Sequence, residues 1–74
     1  MKYFLVIRNA KKENEDVLQF DDWNELKKKE EELHRSGHKG ELVPCHATDI
    51  RQLFDTFTEY RCKNWQKLIQ KYSK

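Results

Sequence analysis

The first apolar segment of the chain, Lys2 to Arg8, carries apolar side chains at consecutive positions rather than at every second one. Consecutive side chains of a β-strand point to opposite faces, so this strand would be apolar on both faces. Such a strand belongs in the middle of a sheet that is covered on both sides. A polar connection covers residues 9–16, and Val17 to Phe20 is predicted to be the hairpin partner of the first strand.

The segment Asp22 to Ser36 has the periodicity of an amphipathic helix with a narrow apolar stripe, formed by Trp23, Leu26 and Leu33. Asp22 can cap its first turn. The remaining surface is charged, with acidic and basic residues one turn apart. We therefore expect a solvated helix that buries one narrow face.

A third strand is predicted at Glu41 to Ala47, where Pro44 favours an edge position or a bulge because proline cannot donate to a ladder. One long helix, capped by Thr48 or Asp49, is predicted to follow and to run close to the C-terminus, on the basis of an apolar series at helical spacing. The positions at this spacing, of which only Arg61 is not apolar, are Ile50, Leu53, Phe54, Phe57, Arg61, Trp65, Leu68, Ile69 and Tyr72. About 25 helical residues span roughly 37 Å, so this helix should either break or project from the fold.

The predicted order ββαβα corresponds to an α+β fold with a small, mainly antiparallel three-stranded sheet and two helices. A crossover from the second to the third strand places the first strand between them, which gives the strand order 2-1-3. We expect helices to cover more than half of the chain. The 74 residues suffice for one compact domain, residues 1–74.

Composition excludes several classes of protein and names no partner. The chain has 15 basic and 13 acidic residues, so its net charge is small. The apolar run Tyr3 to Ile7 is shorter than the roughly 7–15 residues of a signal core, and no segment resembles a membrane span. We therefore expect a cytoplasmic protein with no membrane partner and with two reduced cysteines.

Five residues of the types that bind zinc occur in the chain, but their spacing does not match a zinc site. They are His34, His38, Cys45, His46 and Cys62. A cysteine nucleophile would need an activating environment, and neither cysteine lies in a segment that suggests one. Both glycines are turn residues, so no loop can hold phosphate. We expect no catalytic residues, metal, cofactor or small-molecule substrate, and hence a protein that is not an enzyme.

The C-terminal segment is basic and contains no acidic residue. Its cations are Arg61, Lys63, Lys67, Lys71 and Lys74. They could contact nucleic-acid phosphates or an acidic protein, although lysines near a helix C-terminus are also favoured by the helix dipole and solubilise an exposed face.

The apolar face of the same segment is the predicted partner-binding surface, because a projecting helix would leave it uncovered. It consists of Trp65, Leu68, Ile69 and Tyr72. In the alternative, the helix bends near Arg61 and Trp65 folds back against Trp23 or Phe4 as a core residue. The sequence favours a small non-enzymatic regulator or inhibitor, of the kind common in phages and mobile elements, that binds another protein or a second copy of itself. Nucleic-acid binding through the basic C-terminal residues is the alternative.

Overall fold

A computed structural model describes residues 1–73. The elements run in the following order: β1 Lys2–Arg8, β2 Asn14–Phe20, α1 Trp23–Arg35, β3 Leu42–Ala47, α2 Ile50–Thr56, a 3-10 turn Thr58–Tyr60 and α3 Trp65–Tyr72. The α+β class is as predicted, with three helices in place of two.

The three strands form one antiparallel sheet in the order β2-β1-β3, which confirms the predicted topology. β2 begins at Asn14, three residues before the predicted Val17. Its additional residues are polar, but they face Arg8 and Ile7 across the hairpin, where the ladder is irregular. Strand pairing extends the element here beyond its apolar residues.

The central strand β1 is buried on both faces. Phe4 and Val6 are 0% exposed and belong to the larger core, which α2 and α3 cover. Leu5 is also 0% exposed and points to the opposite face, where α1 packs across β1 and β2 and buries Leu26. The sheet therefore lies between α1 and the two C-terminal helices.

The predicted long C-terminal helix is not continuous, because α2 ends at Thr56 and α3 begins at Trp65; of the two outcomes expected from its length, the break is the one that occurs. The last residue of α2 and the segment between the two helices concentrate weak helix formers, each costing roughly 0.5 kcal/mol relative to alanine. They are Thr56, Phe57, Thr58, Tyr60, Cys62 and Asn64. Helices consequently cover less than half of the described residues, contrary to expectation.

Polar side chains stabilise the break between α2 and α3. The Arg61 Nε donates a hydrogen bond to the carbonyl oxygen of Phe54 at 3.0 Å. Asn14, in β2, donates from Nδ2 to the carbonyl oxygens of Glu59 at 2.5 Å and Arg61 at 3.1 Å. These carbonyl groups would otherwise lack partners where the helical bonding stops.

The break lets α3 fold back onto the core. The Trp65 ring meets Phe54 edge-on, with centroids 5.9 Å apart. The Arg61 guanidinium lies over the Trp65 ring, 4.1 Å from its centroid. The helix therefore breaks and does not project.

We predict that Trp65→Ala lowers the free energy of unfolding by about 3 kcal/mol, because it removes a ring that covers Phe54. A domain of this size holds only about 3–5 kcal/mol in total. Chemical denaturation followed by circular dichroism measures the change.

Trp23→Ala is the matched control, since Trp23 is 40% exposed and contacts Tyr3 on the opposite side of the sheet. It should cost about 1 kcal/mol, the size of an exposed aromatic pair. Equal losses in the two variants would contradict the packing of α3 against Phe54.

Candidate functional site

The outer edge of β3 is an open strand edge. The Arg8 amide donates to the Glu41 carbonyl oxygen at 2.9 Å, which sets the alternation of the β1–β3 ladder. In an antiparallel pair every second residue bonds the neighbouring strand. The amide and carbonyl groups of Leu42 and His46, and the carbonyl group of Pro44, therefore point away from β1. Because the backbone nitrogen of Pro44 points away from β1, its lack of a hydrogen removes no hydrogen bond between β1 and β3. The predicted edge position of β3 is confirmed.

The opposite edge, on β2, is less open. The register directs the Val17 amide away from β1, and the carboxylate oxygen of Asp16 accepts its hydrogen bond at 2.8 Å. An acidic side chain that binds an edge amide hinders the approach of another strand. The edge of β3 is thus the better surface for an added strand.

An apolar cleft of about 290 Å³ lies at the C-terminal end of β3. Its apolar walls are Met1, Ala47 and Phe57, and Gln52 and Thr56 supply polar groups from α2. Met1 is 76% and Phe57 37% exposed, so two of the three most exposed large apolar side chains line this one cleft. We call it the apolar cleft.

A second cleft, of about 500 Å³, lies at the N-terminal end of the same strand. Its charged residues are Arg8, Glu41 and Glu59. The Arg8 guanidinium bonds the Glu41 carboxylate at 2.8 Å and the Asn14 side-chain oxygen at 2.8 Å. Glu59 joins none of the ion pairs found in residues 1–73. The cleft therefore has net negative charge, and we call it the acidic cleft.

Two aromatic rings separate the clefts. Phe57 lines the apolar cleft and Tyr60 the acidic cleft, and their ring centroids are 5.4 Å apart. Both rings belong to the segment that interrupts the predicted long helix. The break between α2 and α3 therefore forms one wall of this surface.

The predicted partner-binding residues lie on the inner face of α3. Leu68 is 5% exposed, and Trp65, Ile69 and Tyr72 are half-buried against the core. They do not form the expected exposed patch, because α3 folds back. Their assignment to partner binding stays a prediction. The sequence pattern does not indicate Met1 as a site residue, and it predicts Phe57 in an apolar helix stripe.

The predicted basic residues divide into two groups. Lys63, Lys67 and Lys71 are exposed, with the last two on the outer side of α3. Arg61 instead binds the Phe54 carbonyl and covers Trp65. Lys74 lies outside the described residues.

The histidines and cysteines occupy separate places. No group of three His, Cys, Asp or Glu side chains with metal-binding geometry occurs in residues 1–73. His38 lies with Nε2 2.8 Å from the Arg8 carbonyl oxygen, while His34 and His46 are exposed.

Burial raises the pKa of both thiols. The pKa of Cys45 rises to about 11, and the pKa of the Cys62 thiol is also raised, with burial as the largest cause. A raised pKa lowers the thiolate fraction at neutral pH, whereas a cysteine nucleophile requires a lowered pKa. These thiols therefore have environments typical of packing residues.

We compared the chain with known protein families, curated proteins and solved structures. No family model, curated protein or solved structure matches the chain. No helix within residues 1–73 has the length and apolar character needed to cross a membrane.

We predict that the Cys45 thiol makes stability fall with rising pH above its unfolded pKa. The pKa of that thiol is 9.0 in the unfolded chain, and burial raises this pKa to about 11 in the folded chain. Well below pH 9 the thiol is protonated in both states, and it does not lower the free energy of unfolding. Between pH 9 and about pH 11 only the unfolded state ionises, so the free energy of unfolding decreases as the pH rises.

Denaturation from pH 8 to 11.5 should show a steeper decline for the native chain than for Cys45→Val, in which lysines and tyrosines still titrate. Parallel pH profiles for the two proteins would show that burial does not perturb this thiol.

Proposed function

We propose that this chain is a non-enzymatic regulator or inhibitor that binds another protein through the edge surface. The edge surface consists of β3, the apolar cleft and the acidic cleft. The observation that carries the proposal is the exposure of Met1 and Phe57 in one cleft beside an open strand edge. The unused backbone groups of Leu42 and His46 continue this surface along β3.

Physical chemistry supports an interface at this place. Open strand edges attract other strands, and clustered exposed apolar side chains mark interaction sites on small soluble domains. Aromatic side chains such as Phe57 and Tyr60 supply much of the energy of protein interfaces. The raised thiol pKa values of Cys45 and Cys62 also suit a binding protein better than a thiol catalyst.

We predict that Phe57→Ser abolishes capture of the partner, since it removes the apolar wall of the cleft. Affinity capture from source cells, with nuclease present, followed by mass spectrometry compares this variant with the native chain. Proteins lost with Phe57→Ser and retained with the control are the expected partners.

Trp23→Ser provides the control, because Trp23 is comparably exposed but lies on α1, which packs on β1 and β2, and lines neither cleft. Circular dichroism melting first establishes that both variants are folded. Capture that depends on Trp23 and not on Phe57 would refute this surface, and recovery of the chain itself would identify a second copy as the partner.

The second candidate function is nucleic-acid binding by the basic residues of the C-terminal segment. Lys63, Lys67 and Lys71 are exposed, and none joins an ion pair found in residues 1–73. The aromatic residues Trp65 and Tyr72 pack inward, so the support for this candidate is charge alone and not base stacking.

If this candidate is right, replacing Lys67 and Lys71 together by glutamine should flatten the dependence of duplex-DNA affinity on salt. Each lost phosphate contact removes about 0.9 from the log–log slope, so the expected change is about 1.8. Fluorescence anisotropy over a salt series measures the slope.

The charge-matched control replaces Lys28 and Lys39, both exposed and outside the C-terminal segment, by glutamine. Equal slopes for the two double variants would show that DNA does not recognise α3. Absence of binding at micromolar protein would remove the candidate altogether.

A further inference from the structure

We propose that the edge surface binds an extended peptide segment of a partner protein, which adds a strand antiparallel to β3. The segment places an apolar side chain in the apolar cleft and, four residues later, a basic side chain in the acidic cleft. This inference rests on the proposed function and specifies the chemistry of the partner.

The backbone of β3 selects an extended occupant. Leu42 and His46 each present an amide and a carbonyl outward, and Pro44 presents a carbonyl alone. These groups recur at every second residue, which matches the backbone of another strand. A partner helix has already used its backbone groups internally, so it leaves this row unsatisfied.

The charges of the acidic cleft select the basic side chain. Two carboxylates, Glu41 and Glu59, and one guanidinium line the cleft, and Arg8 is already bonded to Glu41 and Asn14. A lysine or arginine of the partner would pair with Glu59 and restore neutrality. An acidic side chain there would meet uncompensated negative charge.

The distance between the clefts sets the spacing of the two side chains. Val43 lines the acidic cleft and Ala47 the apolar cleft, and both point to the sheet face covered by α2. Four residues of strand span about 13 Å, so the partner side chains occupy positions i and i+4 on one face. Antiparallel pairing continues the pattern of the sheet, which places the apolar residue first and the basic residue second.

A second copy of the chain fits the same edge less well. Two-fold pairing centred on Pro44 would set two proline residues opposite each other, and neither can donate a hydrogen bond. The short edge offers few hydrogen bonds when the register is shifted away from Pro44. The partner is therefore a different chain.

Synthetic octapeptides of alternating threonine and valine test this inference on the full-length chain. The first probe has leucine followed four positions later by lysine. The second reverses the two residues, the third has glutamate for lysine, and the fourth is the first probe with N-methyl groups on its β3-facing amides. Nitrogen-15 NMR titration measures affinity and locates the binding surface.

The first probe should shift the amide resonances of Leu42 and His46 and leave those of the β2 edge, such as Gln19, unchanged. Glutamate should weaken affinity about fivefold, the size of one partly exposed ion pair. The reversed and N-methylated probes should bind more weakly still. Phe57→Ser should reduce binding of the first probe, whereas Trp23→Ser should not.

Absence of binding by the first probe, equal binding by all four, or shifts confined to another surface would overturn the inference. A sedimentation coefficient that rises with protein concentration, and that no longer does so when the first probe is present, would replace the inference with self-association through β3. Loss of cellular partners with Phe57→Ser but no probe binding leaves the proposed function standing without strand addition. Probe binding with capture unaffected by Phe57→Ser leaves strand addition standing and refutes the proposed function.

Discussion

Burial of β1 on both faces is the constraint on which the rest of the fold depends. Phe4 and Val6 need cover on one side of the sheet and Leu5 needs cover on the other. Each fully buried side chain of this size contributes about 1.5–3 kcal/mol relative to an exposed one. A chain of 74 residues can supply that cover only if helices lie on both faces. The narrow stripe of α1 suffices for one face, and the other face needs both C-terminal helices.

The sheet was predictable from the sequence because its determinants are local: an uninterrupted apolar run in the first strand and a proline in the third. The segment Lys2 to Arg8, which is apolar on both faces, predicts the central strand, and Pro44 predicts an edge strand. Both predictions agree with the structure. The C-terminal helix was not predictable from its apolar series, because the series continues in register across the break. The weak helix formers between Thr56 and Asn64 were a local signal, whereas the bonds from Asn14 join residues more than forty positions apart.

The candidate site depended on that same break. Once α3 folds back, Trp65 and Leu68 cover the core, and exposed apolar surface occurs instead at Met1 and Phe57. The edge of β3 could be expected from Pro44, but the clefts beside it could not. Their walls combine strand residues with the 3-10 turn, and only the tertiary structure brings these segments together.

The position of β1 in the chain has a consequence for its synthesis on the ribosome. β2 can pair with β1 soon after it is made, but β3 begins at Leu42, 34 positions after Arg8. At about 5–20 residues per second, the intervening segment takes roughly 2–7 s to translate. During that time the nascent hairpin has an apolar face without its covering helices and a β1 edge without β3. Chaperones and neighbouring nascent chains therefore encounter this strand before its own fold can enclose it.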